Sequence, residues 1–279
     1  MMLDKVHILS DVKRALAEDI GTGDISAALL SPQLMAEAEI VSREPMLVCG
    51  CPWVNAVFAE IDTSIVIEWL VQEGSWLDEA TILCRIKGPA ASILTAERTA
   101  LNFLQTLSAT ATQTRRYLLK LQGTGTRLLD TRKTIPGLRM AQKYAVACAG
   151  GVNHRMGLYD AFLIKENHIK SCGSITTAIA KARQSHRNFF IEIEVETLDE
   201  LQEALAAKPD RILLDNFSNA MLVEAVKINQ HRCELEASGG IGLSTIRSVA
   251  ETGVNYISVG SITKSIQAID LSLLVREVK

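Results

Sequence analysis

The sequence predicts an α/β protein in two parts, and three features of the chain support this. Its 279 residues are 48% apolar, which suits about two domains of roughly 150 residues each, with a sizeable core. The first hundred residues mix helices with short alternating strands. From about residue 126, short apolar strands alternate with amphipathic helices, the pattern of right-handed βαβ units on a parallel sheet. Six such strands are too few for a complete eight-stranded barrel, and they suit either an incomplete barrel or a doubly wound sheet.

Each element has a local reason. Ser10 reads as the N-cap of an amphipathic helix to residue 18, with Val12, Ala15 and Leu16 on one side, and Gly21-Thr22-Gly23-Asp24 ends it. Alternation marks a strand over 36–42, an apolar run comes next at 46–48, and Pro52 opens a helix to residue 60. Residues 65–71 and 81–86 read as further strands, and Gly88-Pro89 punctuates the chain before a long helix. That helix carries Ile93, Ala96, Ala100, Leu101, Leu104 and Leu107 at core spacing, with a polar stripe of Arg98, Asn102 and Gln105 on its other side. The six later strands fall at 127–129, 161–164, 189–195, 211–214, 234–237 and 256–259. Helices are expected between them at 138–149, 175–185, 198–206, 220–228 and 244–251.

Composition narrows the function. Twenty-nine Lys and Arg face 32 Asp and Glu, a net charge of −3, which argues against a nucleic-acid binder working through a general basic field. Residues 1–20 lack the apolar core of a signal peptide, so the six cysteines are expected as ordinary thiols in a reduced cytoplasm. No CxxC pair occurs, and Cys49-Gly50-Cys51 has no second pair at zinc spacing. Pro52 and Asn55 break the longest apolar candidate for a membrane span. Gly21-Thr22-Gly23 and Gly123-Thr124-Gly125 do not complete a dinucleotide fingerprint, and no Walker, nucleophile-elbow or His-Glu-x-x-His motif occurs. His7, His186 and His231 read as surface residues.

The functional signal lies in the residues at the end of each later strand: Asp130-Thr131-Arg132-Lys133, Lys165-Glu166-Asn167-His168, the Glu194 and Glu196 end, Asp215-Asn216, Ser238-Gly239-Gly240, and Gly260-Ser261. In parallel α/β folds the carboxyl ends of the strands converge on one rim, so these segments are expected around one pocket. Residues 130–170 hold seven cations and three anions, a local +4 that leaves −7 for the rest, with His154 and His168 besides. Arg132-Lys133 and His154-Arg155 therefore read as a clamp for a polyanionic ligand, because Arg grips carboxylate or phosphate through two N–H groups. The glycine turns at 238–240 and 260–261 let backbone N–H groups approach a phosphate. Glu194 and Asp215, on adjacent strand ends, suit ribose hydroxyls or a hydrated Mg²⁺. Glu192 and Glu196 share the face of Glu194 by alternation, which also reads as a solvated acidic face. Lys165, a lysine at a strand end, equally suits the amine of a Schiff-base lyase.

Seven segments resemble one family: those at 97–103 (Glu97-Arg98), 130–139 (Asp130-Thr131-Arg132-Lys133), 151–155 (Asn153-His154-Arg155), 163–168 (Lys165-Glu166-Asn167-His168), 192–197 (Glu192 to Thr197), 214–217 (Leu214-Asp215-Asn216-Phe217) and 237–241 (Ala237-Ser238-Gly239-Gly240-Ile241). In order and spacing they are similar to the quinolinate phosphoribosyltransferases, also called carboxylating nicotinate-nucleotide pyrophosphorylases, of the type II phosphoribosyltransferase family. The resemblance implies an N-terminal α/β sandwich at 1–108 completed by 267–279, and an incomplete six-stranded α/β barrel at 109–266. It implies a cytoplasmic homodimer with shared sites that binds neither nucleic acid nor membrane. The implied reaction converts quinolinate and 5-phosphoribosyl 1-diphosphate to nicotinate mononucleotide, CO₂ and diphosphate with Mg²⁺, in de novo NAD biosynthesis. By the match, Thr131, Arg132, Lys133, His154, Arg155 and Lys165 hold quinolinate, and Arg98 reaches in from the partner subunit. Lys133, Glu194, Asp215, Ser238, Gly239, Gly240, Val259, Gly260 and Ser261 hold the phosphoribosyl donor, Glu194 and Asp215 through the ribose hydroxyls and through Mg²⁺ or its water shell. Lys133, Lys165, Glu194 and Asp215 are the implied catalytic set. A related enzyme using the same donor on another acceptor, and a non-catalytic binder of phosphoribosyl ligands, are the rival readings.

Overall fold

A computed structural model describes residues 5–278; residues 1–4 and 279, which the domain reading places with the N-terminal sandwich, lie outside the described residues. The chain forms two compact units. Of the described residues, one holds those up to Arg115, Ile135–Gly150 and those from Ser265, and the other holds Arg116–Thr134 and Gly151–Lys264. The segment Ile135–Gly150, which the sequence places in the second domain, joins the first because Ala141 and Ala145 bury themselves in that unit's core.

The first unit begins with α1 (Lys5–Ile20). Ser10 is exposed inside this helix and does not cap it, since the buried series Ile8, Val12 and Leu16 extends the apolar stripe a full turn earlier. Next come β1 (Met35–Ser42), β2 (Met46–Leu47), α2 (Cys51–Ile61), β3 (Val66–Trp69), β4 (Trp76–Leu77) and β5 (Thr81–Pro89). α3 (Ala90–Leu121) runs on into the second unit. α4 (Arg139–Cys148) and the final strand, β12 (Leu271–Val278), complete the first unit. Its main sheet is antiparallel with order β12-β1-β5-β3. β1 is buried at every second residue, so one face packs on the core while the other meets solvent. Gly50 precedes α2 at φ 119°, a conformation that a side chain would strain, and Pro52 fits the first helical turn.

The second unit carries six parallel strands: β6 (Arg127–Leu129), β7 (Ala161–Ile164), β8 (Phe190–Val195), β9 (Arg211–Asp215), β10 (Glu234–Ser238) and β11 (Tyr256–Ser258). Their order is β6-β11-β10-β9-β8-β7. Every strand neighbours its predecessor except that the first pairs with the last. This is the closure pattern of a barrel missing strands, and it excludes a doubly wound sheet, whose order reverses at its middle. The connecting helices are α5 (Glu166–Cys172), α6 (Ile175–Ser185), α7 (Leu198–Ala207), α8 (Asn219–Asn229), α9 (Ile246–Ala250) and α10 (Ser261–Lys264). Ser174, Thr197 and Ser218 cap α6, α7 and α8 by accepting the N–H three residues on. α5 and α10 were not expected, because such short segments give no apolar repeat to read. His7, His186 and His231 are exposed, as expected.

Candidate active site

Strand pairing assembles the rim. Ile164 pairs with Ile193, Glu194 with Leu213, Asp215 with Ser238, and Ser258 with Leu129. The next residue out on each strand therefore belongs to one carboxyl edge. Thr131, Arg132, Lys133, His154, Arg155, Lys165, Glu194, Asp215, Ser238, Gly239, Gly240, Val259, Gly260 and Ser261 all fall within the second unit. Arg98 lies exposed on α3 in the first unit.

Two strand ends meet at Gly260. A methyl group there would come within 3.0 Å of Lys133 Cδ and 3.5 Å of Thr131 Oγ1. Thr131 Oγ1 accepts the Lys133 N–H at 3.0 Å, and the Thr263 hydroxyl donates to the Lys133 carbonyl at 2.7 Å. Lys133 is thus fixed through its backbone while its side chain stays exposed. Ser261 Oγ lies 3.0 Å from the hydroxyl of Tyr117, a buried residue near the end of α3. Gly239 has φ 103°, and a Cβ there would lie 2.1 Å from Asn216 Oδ1, so this turn demands glycine. Gly240 at φ 60° faces open space.

The charged groups divide by depth. At the edge, Lys165 Nζ sits 2.5 Å from Glu194 Oε2, and Asp215 Oδ2 accepts from Asn216 Nδ2 at 2.7 Å. Arg155 donates to the Ala161 carbonyl at 3.2 Å. Burial first, and the nearby charge of Arg132 second, hold its guanidinium below the usual arginine range. The two guanidiniums repel one another, so an anion between them would relieve both.

One layer deeper lies a set of which the sequence singles out His154, Asp130 and Glu192 but not Glu236 or Arg211. Asp130 is fully buried, and its carboxylate accepts the His154 N–H at 2.8 Å and Asn153 Nδ2 at 2.6 Å, fixing the loop that carries His154 and Arg155. His154 Nδ1 accepts the Arg155 N–H at 2.7 Å, so the ring proton sits on Nε2, which faces Glu192 Oε2 at 2.8 Å and Glu236 Oε2 at 3.8 Å. Glu192 is 1% exposed and Glu236 0%, so the solvated acidic face does not exist at Glu192; that strand face is the barrel interior. Burial raises the Glu192 carboxyl, and burial, then Glu192, pushes Glu236 up to about 8. One oxygen of each acid is buried without a hydrogen-bond partner, and a proton held between the two acids supplies one. Arg211 reaches Glu234 at 3.1 Å and Glu236 at 3.4 Å, and lies 3.9 Å over the Tyr256 ring. Burial opposes its charge, but the three surrounding glutamates outweigh that and raise its pKa. Asp130 had a readable signal, an acid directly after a strand and before two cations. Glu236 and Arg211 had none beyond alternation.

A six-stranded parallel sheet whose first strand pairs with its last, with cations and glycine turns at its carboxyl edge, defines an α/β-barrel protein with an edge suited to anionic small molecules. The family descriptions "Quinolinate phosphoribosyl transferase, N-terminal domain" and "C-terminal domain" match residues 24–108 and 110–274, and the chain belongs to that family. A probable carboxylating nicotinate-nucleotide pyrophosphorylase of Bacillus subtilis is 41% identical over 257 residues, covering 92% of this chain and 89% of the relative. The solved nicotinate-nucleotide pyrophosphorylase of Francisella tularensis superposes with a TM-score of 0.96 at 48% identity, covering 99% of this chain and 98% of that one. NadC of Streptococcus pyogenes does so at 0.95 and 35% identity, covering 100% and 99%.

Proposed function

We propose that this chain is a quinolinate phosphoribosyltransferase: it joins quinolinate to 5-phosphoribosyl 1-diphosphate and releases nicotinate mononucleotide, CO₂ and diphosphate, a step of de novo NAD biosynthesis. The observation that carries this reading is the edge itself, where mutually repelling Arg132 and Arg155 share one carboxyl edge with Lys133 and Lys165 on the unit that matches the family's C-terminal domain. In this reading Arg132, Arg155 and Lys165 hold the two carboxylates of quinolinate, with Thr131 beside them. His154, which the resemblance places on quinolinate, has both ring nitrogens engaged by the Arg155 N–H and by Glu192, so it acts on quinolinate through Arg155, whose backbone and direction it fixes. The turns Ser238-Gly239-Gly240 and Val259-Gly260-Ser261 hold the 5′-phosphate, and Lys133 lies between quinolinate and the diphosphate.

The pyridine nitrogen attacks C1′ as diphosphate leaves, through a transition state with cationic ribose character. No strong base is required, and the side chains position the reactants and neutralise charge. Lys165, Lys133, Glu194 and Asp215 form the catalytic set. Once the nitrogen is glycosylated, the pyridinium accepts the electron pair left at C2 when CO₂ departs, so the hard electronics belong to the substrate.

Glu194 and Asp215 fit Mg²⁺ as hard oxygen donors on adjacent strands, with one oxygen of each outside the Lys165 and Asn216 hydrogen bonds. The ammonium of Lys165 on Glu194 favours holding the ion through its water shell. The ion would neutralise the departing diphosphate.

Arg98, exposed on α3, is assigned to the site of a second copy in a homodimer. No helix among the described residues is long and apolar enough to cross a membrane, in keeping with a cytoplasmic enzyme.

The test measures CO₂ release with quinolinate, the phosphoribosyl donor and Mg²⁺. Stoichiometric CO₂ and nicotinate mononucleotide are expected. No CO₂ from quinolinate, or turnover of nicotinate in its place, overturns the reading. A mixed dimer of Arg98→Ala and Lys165→Ala chains, each inactive alone, is expected to regain activity at one of its two sites. No regain in a verified mixed dimer removes Arg98 from the partner's site.

A further inference from the structure

The first unit holds a cluster that the phosphoribosyl chemistry does not use. Cys49 Sγ, Cys148 Sγ and a Glu73 carboxylate oxygen all lie within 4.8 Å of one another. The three come from separate parts of the unit: Cys49 sits just past β2, Glu73 lies between β3 and β4, and Cys148 ends α4. Their positions are fixed. Cys49 exchanges backbone hydrogen bonds with the Ser108 hydroxyl at 3.0 Å in both directions. Glu73 accepts the Gly50 and Cys51 N–H groups at 2.9 and 3.0 Å, and the Tyr144 hydroxyl at 3.0 Å.

The two thiols differ in access. Cys49 is fully buried, whereas Cys148 is half-buried, so a small reagent meets Cys148 first. We propose that Cys49 and Cys148 form an oxidisable pair, with Cys148 the sulfur that meets a hydroperoxide and Cys49 the sulfur that closes the disulfide.

The electrostatics agree with that division. A hydrogen bond from Cys49 lowers the Cys148 thiol, while burial first, and Cys148 second, raise Cys49 well above the ordinary range. Cys51, Cys84 and Cys233 are all raised by burial, so a reactive thiolate is favoured at Cys148 over these three. A soft metal ion fits less well. Two sulfurs are available, but both carboxylate oxygens of Glu73 already serve backbone N–H groups, short of the four ready donors of a structural zinc site.

The steps balance. Cys148 thiolate attacks one peroxide oxygen, the O–O bond breaks, and the departing oxygen takes a proton to leave as water, giving a sulfenic acid. Cys49 sulfur then attacks Cys148 sulfur; the S–S bond forms, the S–O bond breaks, and the hydroxide takes the Cys49 proton to leave as a second water. Two thiols and one peroxide become a disulfide and two waters. A dithiol reductant reverses the change. The bridge would tie the end of α4 to the start of α2.

The test treats the intact, active enzyme with hydrogen peroxide, then maps peptides and counts thiols. Loss of two of the six thiols, a Cys49–Cys148 linked peptide and full recovery with dithiothreitol are expected. In Cys49→Ser the product should change to a Cys148 sulfenic acid trapped by dimedone. If that variant fails to fold, the wild-type map alone decides. The proposal is overturned if both thiols stay free while Cys172 is oxidised, if wild-type Cys148 accumulates as sulfenic acid, or if the purified protein carries stoichiometric zinc that blocks these two thiols.

Discussion

Glu192 and Glu194 stand two residues apart on β8, on the same face, and the protein uses them in opposite ways. Glu192 is sealed inside the barrel against His154 and in the field of Arg211, while Glu194 sits higher, where Lys165, 47% exposed in its side chain, meets it at the edge. The same division holds for the cations. Arg211 is enclosed by glutamates and a tyrosine ring, whereas Arg155 is raised in energy by Arg132. The deeper layer pairs its charges within the fold, and the edge keeps cations in excess for an anionic ligand. One layer is built for stability and positioning, the other for binding.

Substituting the two glutamates is the strongest way to break this comparison. Glu192→Ala strands the His154 Nε2–H and part of the Arg211 charge, and loss of one partner of a buried pair costs about 3–5 kcal/mol. The melting temperature is expected to fall steeply, and any folded fraction should show a raised quinolinate KM because His154 loses its brace. Glu194→Ala opens a pair whose lysine is half in water, worth about 0–1 kcal/mol to the fold. Its melting temperature should barely move while turnover collapses. Calorimetry and steady-state kinetics on both variants check this, and equal melting losses would erase the distinction between the layers.

Arg155→Ala sharpens the edge side of the comparison. A carboxylate then loses a charged hydrogen bond of about 1.5–3 kcal/mol, so kcat/KM for quinolinate should drop roughly 10- to 150-fold. Stability should change little, because relief from burial of the charge and from repulsion with Arg132 offsets the lost hydrogen bond to the Ala161 carbonyl. A large stability loss with unchanged kinetics would move Arg155 into the structural layer.

The edge was far more legible in the sequence than the layer beneath it. Strand ends such as Asp215-Asn216 and Ser238-Gly239-Gly240 stand out because polar and glycine residues interrupt short apolar runs. Alternation places Glu192 and Glu236 on a face but cannot say which side that face meets, and a barrel with a polar interior presents the pattern of a solvated surface. Barrel and doubly wound sheet also share one sequence rhythm; the pairing of β6 with β11 decides between them, and that contact joins strands far apart in the chain. Arg98 had no local signal apart from its helix stripe, and its role came from family resemblance.

The effect most specific to the buried layer concerns the proton on Glu236. The fold raises this carboxyl to about 8 from an ordinary value near 4.5, chiefly by burial and then by Glu192. Between those two values the folded state holds a proton that the unfolded state has released. Stability from this group is therefore complete below the unfolded pKa and is lost as pH rises toward the folded one, by at most about 1.4 kcal/mol per pH unit. Glu236→Gln keeps the shape and the hydrogen-bond donor of the protonated acid but cannot ionise. Melting curves from about pH 5 to pH 8 should show the variant flatter than the wild type, with its advantage growing toward the alkaline end. Kinetics at the edge should change little, since Glu236 reaches the substrate-holding residues only through His154, from 3.8 Å. A variant less stable than wild type at the alkaline end would mean that Glu236 is ionised in the fold and paired to Arg211, and the layer would then hold one more negative charge.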